Sequence, residues 1–152
     1  MATKFRGPKE ERRALDVYIK LSRAAITVEG RINGHLSTYG LTLSQFGVLE
    51  ALYHLGPLAQ NGLAEKILKS TGNLTTVLDN LCKRDLVERR RDPEDRRAYQ
   101  VQLTPAGSRL IEEILPVHVA KVVRTFTVLS PEEQEQLAGL CRKLGLAVYP
   151  ES

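Results

Sequence analysis

Five arginines, Arg89, Arg90, Arg91, Arg96 and Arg97, crowd the few positions around the turn Asp92-Pro93-Glu94-Asp95. A guanidinium stays charged at any working pH and donates through a planar fork, so such a cluster suits phosphate recognition. Glu88, Asp92, Glu94 and Asp95 dilute the charge, and taken alone the run is equally the pattern of a solvated surface. A second polar set lies upstream, comprising Asn73, Thr75, Thr76, Asp79, Asn80 and Lys83. It is interleaved with Leu74, Val77, Leu78 and Leu81, whose i, i+3, i+4, i+7 spacing makes an apolar helical stripe that must face a core. The polar groups are thereby turned outward, small or basic, and able to hydrogen-bond phosphates and base edges. Ser70 and Thr71 fall at the start of that helix, where backbone N–H groups favour an anion.

Catalytic chemistry has no comparable foothold. His35, His54 and His118 are scattered, and no nucleophile elbow, glycine-rich phosphate loop or His-Glu-x-x-His pattern is present. Cys82 and Cys141 form no Cys-x-x-Cys pair and lie far apart, so neither a disulfide nor a zinc knuckle is expected. The reading is a protein that is not an enzyme and needs no cofactor or metal.

The elements that must position these groups follow from pattern. Residues 61–68 read as a short helix and 71–84 as the second helix of a helix-turn-helix. Val87, Arg89 and Arg91 alternate with Glu88 and Arg90, and Tyr99, Val101 and Leu103 alternate with Gln100 and Gln102, the period of two half-buried strands. Asp92-Pro93 supplies the turn between them, since proline presets φ and Asp accepts from the following backbone. Helix-turn-helix followed by a basic hairpin is the layout of a winged helix, with one helix for the DNA major groove and a wing that reaches phosphate or the minor groove. Upstream, residues 10–38 read as one long helix with two apolar stripes, Leu15, Tyr18, Ile19, Ala25, Ile26, Ile32 and Leu36 against Val17, Leu21, Ala24 and Val28. Thr42 with Gln45 forms a capping box for a helix that Gly56-Pro57 stops. Thr104-Pro105 opens a helix to about residue 128, and Ser130-Pro131-Glu132-Glu133 opens a last one to about 145. A helix apolar on two sides needs partners on two sides, and a second copy of the chain is the economical source. The fold class expected is mainly α with a small β-hairpin wing: a winged helix-turn-helix over 41–104, helical dimerisation segments at 10–38 and 105–147, and a flexible arm at 1–9.

The segment Asp95-Arg96-Arg97-Ala98-Tyr99-Gln100-Val101-Gln102-Leu103-Thr104-Pro105-Ala106-Gly107 resembles the D-x-R…L-T-x-x-G wing signature of MarR-type bacterial transcriptional regulators. Leu41-Thr42-Leu43-Ser44-Gln45-Phe46-Gly47-Val48-Leu49 is similar to that family's second-helix opening, and Gly72-Asn73-Leu74-Thr75-Thr76-Val77-Leu78-Asp79-Asn80-Leu81 to its recognition helix. One departure is Asp85, where the family more often has glycine, so this residue must adopt the left-handed conformation or change the helix cap. The resemblance implies a homodimeric repressor on double-stranded DNA with a near-palindromic operator. The DNA-binding residues expected are Ser70, Thr71, Asn73, Thr75, Thr76, Asn80 and Lys83 on the helix and Arg89, Arg91, Asp95, Arg96 and Arg97 on the wing. Winged helices also serve as protein-interaction modules, but a protein-binding face would carry exposed Leu, Phe or Tyr rather than Thr and Asn.

The resemblance also implies an effector site where the dimer helices meet the DNA-binding lobe. Arg23, His35, Phe46, Tyr53 and His118 are the residues expected there, and the pattern of 15–56 is similar to members that respond to phenols and quinones, so a small aromatic or phenolic ligand is expected. Phe46 and Tyr53 are more simply read as plain core. Thiol sensing by Cys82 or Cys141 is the alternative, although the family's peroxide sensors keep their cysteine in the first helix and both cysteines here read as small buried hydrophobes. The metal-responsive members use paired histidines in the fifth helix, where His118 stands alone. The chain has 152 residues and a formal net charge of +4, so the positive field must be local. No apolar run approaches bilayer length and the first residues lack a signal core, which predicts a cytoplasmic protein with no membrane partner.

Overall fold

A computed structural model describes residues 4–67, 71–95 and 97–147, and of residues 71 and 72 the backbone alone. Its elements are α1 (Lys9–Asn33), a 3-10 turn (Leu36–Tyr39), α2 (Leu43–Leu55), β1 (Leu58–Ala59), α3 (Gln60–Ile67), α4 (Thr71–Lys83), β2 (Val87–Arg91), β3 (Tyr99–Leu103), α5 (Pro105–Phe126) and α6 (Pro131–Gly145). The chain divides into two compact units, residues 33–118 and residues 1–32 with 119–152.

In the 33–118 unit, α2, α3 and α4 pack over a small antiparallel sheet of order β1-β3-β2. Leu36, Leu49, Leu63, Leu74, Leu78, Leu81, Val101, Ile111 and Ile114 form its fully buried centre. The predicted stripe on α4 behaves as periodicity demands: Leu74, Leu78 and Leu81 are buried and Val77 is half-buried against them. Each buried leucine contributes about 1.5–3 kcal/mol of transfer free energy, which fixes which face of α4 is left for solvent.

Capping chemistry sets the ends of α2 and the approach to it. Thr42 Oγ1 accepts from the Gln45 amide at 3.2 Å while Gln45 Oε1 accepts from the Thr42 amide at 2.9 Å, the reciprocal box anticipated from sequence. The single helix expected over 10–38 is instead broken. α1 ends at Asn33, and Gly40 takes a left-handed φ of 67° so that Leu41 can fold back, its amide reaching the Leu36 carbonyl at 3.1 Å. Burial of both Leu36 and Leu41 rewards that reversal, and Asn33-Gly34 offers a weak place to continue a helix. The wing is likewise more than a hairpin. β1, only two residues long, adds a third strand through Leu58↔Val101 and Ala59↔Gln100, while β2 pairs β3 from Val87↔Leu103 to Arg91↔Tyr99.

The second unit contains α6 and most of α1, with the end of α5. Ser130 and Glu133 close a capping box on α6 at 3.1 and 3.0 Å. No residue of α6 is buried, and α1 buries only Ile32. Val17, Tyr18, Ile26, Leu137, Leu140 and Leu144 all remain exposed. The reading of Cys141 as a buried hydrophobe is therefore corrected: it is exposed, because the apolar stripe it belongs to stays largely uncovered among the described residues. Cys82 is half-buried. No helix of the described residues is long and apolar enough to cross a membrane.

Candidate nucleic-acid interface

Opposite its buried leucines, α4 presents Asn73, Thr75, Thr76, Asp79, Asn80 and Lys83, all exposed. Ser70 and Arg96 lie outside the described residues, and Thr71 is described by backbone only, as the first residue of α4. The C-terminal end of α4 is pinned from two sides. Arg84 donates to the carbonyls of Gly40 at 2.7 Å and Tyr39 at 3.1 Å, tying the helix end to the 3-10 turn. Asp85 takes the left-handed conformation at φ 56°, the first of the two outcomes its non-glycine identity allowed.

The wing's L-T-x-x-G signature has a structural cause. Thr104 donates through Oγ1 to the Asp85 carbonyl at 2.6 Å, accepts the Gly107 amide at 3.0 Å, and gives its own amide to the Leu86 carbonyl at 3.1 Å. A Cβ on residue 107 would sit 2.0 Å from the Leu86 carbonyl oxygen, so only glycine permits this approach. One threonine and one glycine thus fasten the exit of α4, the wing and the start of α5 together.

Within the wing, the arginines are not equivalent. Arg89 turns toward α4 and pairs with Asp79 at 2.8 Å, with its other terminal nitrogen 3.8 Å from Cys82 Sγ. Arg90 pairs with Glu88 at 2.9 Å. Arg91 lies 5.9 Å from the centroid of the Tyr99 ring, its cross-strand neighbour, in cation–π geometry. Arg97 is exposed at the tip, where Asp95 Oδ1 accepts its backbone amide at 3.0 Å. Asp95 thus orders the backbone of the tip at Arg97. Asp92 similarly accepts from the Glu94 amide at 2.9 Å, an Asx turn that shapes the tip. One polar residue outside the sequence-based set joins the face of α4: Gln60, first residue of α3, donates from Nε2 to Thr75 Oγ1 at 2.8 Å. Nothing local in the sequence marks it, since a glutamine at a helix start is ordinary.

Of the five residues expected around an effector, three converge. The His118 ring lies 4.5 Å from Phe46 and 5.4 Å from His35, centroid to centroid. Phe46 and His35 are buried, the latter just before the 3-10 turn. His118 thus stands alone in its helix but not in space. Its Nδ1 is buried with no hydrogen-bond partner among the described residues. Burial pushes its pKa below the ordinary 6.5, with Glu50 opposing and His35 reinforcing that shift. Tyr53 does not join the cluster; it is exposed and stacks edge-on against His54 at 5.3 Å. Arg23 belongs to the other unit, exposed on α1. Among the described residues, no group of three or more His, Cys, Asp or Glu side chains is arranged to hold a metal ion.

Comparison with known proteins agrees with this geometry. The MarR family model matches residues 41–99. The HTH-type transcriptional regulator MhqR of Bacillus subtilis is 36% identical over 134 residues, covering 88% of this chain and 92% of that protein. Among solved structures, BpsR of Bordetella bronchiseptica, described for regulation of its DNA binding by 6-hydroxynicotinic acid, superposes with a TM-score of 0.80 at 30% identity, covering 87% of this chain and 94% of its own. A mutant MarR of Escherichia coli complexed with operator DNA gives 0.74 at 27% identity, covering 84% and 94%. The chain belongs to the MarR family of winged-helix, DNA-binding transcriptional regulators.

Proposed function

We propose that this regulator works in the cytoplasm as a homodimeric repressor on a pseudo-palindromic operator and is released by a small aromatic or phenolic ligand. The observation that carries the DNA-reading part is the outward polar face of α4, with Thr75, Thr76, Asn80 and Lys83 opposite three buried leucines. Asn73 extends that face, and Ser70 and Thr71 are proposed as further DNA contacts. Arg91, Arg96 and Arg97 supply phosphate or minor-groove contacts from the wing, with Asp95 setting the backbone of the tip. Arg89, committed to Asp79, acts mainly by locking β2 to α4. The dimer is supported by the uncovered apolar residues of α1 and α6, more than a solitary chain keeps in water without purpose.

The ligand class is supported by the cluster of His35, Phe46 and His118. Its rings offer stacking surface, and the buried Nδ1 of His118 calls for a polar partner that a phenolic hydroxyl provides. Tyr53 stands apart from these rings and Arg23 belongs to the other unit, so the proposed site rests on His35, Phe46 and His118. A second, thiol-based reading draws on the exposure of Cys141 and on the Arg89 guanidinium beside Cys82. A panel of phenols and quinones in a DNA-binding assay separates the two, run on the native protein and on a Cys82→Ser/Cys141→Ser variant. Reversible release by phenols in both proteins, lowering affinity about 5–150-fold, supports the pocket. Release by quinones or oxidants alone, and only with the cysteines present, replaces it with the thiol mechanism.

A further inference from the structure

Thr75, Asp79 and Cys82 fall at i, i+4 and i+7 and so share one flank of α4. Arg89 occupies that flank toward the C-terminal end. Gln60 occupies it toward the N-terminal end, through its 2.8 Å hydrogen bond to Thr75. The backbone around Gln60 is fixed on both sides. The residue before it, Ala59, pairs with Gln100 in the sheet, and the helix that Gln60 opens buries Leu63 and Ala64. A glutamine on a solvent-facing surface ordinarily loses rotamer freedom on binding, which weakens the contact it makes. Here the Thr75 hydroxyl already orients the amide.

We infer that Gln60 is a base-reading residue contributed by α3, which completes the DNA-contacting face of α4 and discriminates at one position of each operator half-site. A glutamine amide offers an acceptor oxygen and two N–H donors. With one N–H engaged by Thr75, the oxygen and the second N–H are the pair that the N6 and N7 edge of an adenine requires in the major groove. The adjacent wing arginines are suited to phosphate and fix register without reading sequence, so a neutral amide anchored beside the recognition helix adds discrimination that they lack. This inference rests on α4 docking through its exposed polar face.

The test selects binding sites from a randomised duplex pool with the native protein, with Gln60→Ala, and with Thr75→Val and Thr75→Ser. Native protein is expected to enrich a two-fold symmetric site with an adenine at one fixed position of each half. Gln60→Ala should lose the preference at that position alone, with affinity for the native site lowered about 5–150-fold and an unchanged melting temperature. Thr75→Val should blur the same position and Thr75→Ser should keep it. Identical selected sites and affinities for native protein and Gln60→Ala would overturn the inference. So would a uniform loss on every duplex, random ones included, since that marks a phosphate contact. Failure of the native protein to enrich any site would instead overturn the DNA-reading function on which the inference rests.

Discussion

At the level of single side chains, what distinguishes the wing arginines is how each is already engaged. Arg89 is held by Asp79 and Arg90 by Glu88, whereas Arg97 stands exposed at a tip whose backbone Asp95 has shaped. Arg97→Ala should therefore weaken binding to all duplexes alike and reduce the log–log salt slope by about one unit, measured by titrations across a salt series. Unchanged slope and affinity would remove the wing tip from the interface. His118 makes a prediction of a different kind. Its folded pKa lies below the 6.5 of the unfolded chain, first through burial and then through His35, with Glu50 opposing. The folded state thus binds the proton less readily than the unfolded state does. The stability this contributes is fully present above 6.5 and is lost as pH falls through 6.5 toward the folded value. Denaturant midpoints taken between about pH 8 and about pH 5 should fall less steeply for His118→Gln than for the native protein. Parallel curves would mean that His118 titrates as it does in water.

Among the elements, the junction after α4 depends most on particular residue types. Gly107→Ala must push a methyl into the Leu86 carbonyl, and a shift of this kind costs about 1–3 kcal/mol, read as a lower melting temperature. Asp85→Gly should act in the opposite sense, relieving a left-handed aspartate by up to about 1 kcal/mol while keeping the backbone bond to Thr104. A destabilised Asp85→Gly would show that the aspartate side chain is itself needed in the cap. Both positions were legible in the sequence, because the wing signature fixes Thr104 and Gly107 and the absent glycine at 85 announces a strained turn. The leucine stripe of α4 and both capping boxes were legible for the same reason: local periodicity and local hydrogen bonding determine them. What escaped was decided by distant contacts. β1 is two residues long and exists only because β3 pairs with it. The early end of α1 at Asn33, ahead of the expected 38, follows from burial of Leu36 and Leu41, which no helical period reveals. Gln60 and Arg84 enter the site through partners 15 and 44 to 45 residues away, beyond the reach of any window along the chain, whereas His35 and His118, 83 residues apart, were expected together only through the family resemblance.

For the whole molecule, the decisive feature is the set of apolar residues that α1 and α6 leave exposed, Val17, Tyr18, Ile26, Leu137, Leu140 and Leu144 among them. An isologous two-fold contact covers such a stripe with its own copy, and obligate interfaces of this kind bury about 2,000 Å² or more. In the dimer we propose, two α4 helices reach successive major grooves on one face of the duplex, one helical turn apart. A spacing experiment on the selected operator tests this directly, by measuring affinity as base pairs are inserted between the half-sites. Five added base pairs, about half a turn, rotate one half-site to the far side of the duplex. Affinity should then fall to that of an isolated half-site, and the native protein should sediment at twice the chain mass throughout. Equal affinity for the native and five-base-pair spacings, or a monomer that binds the operator at full strength, would contradict the account.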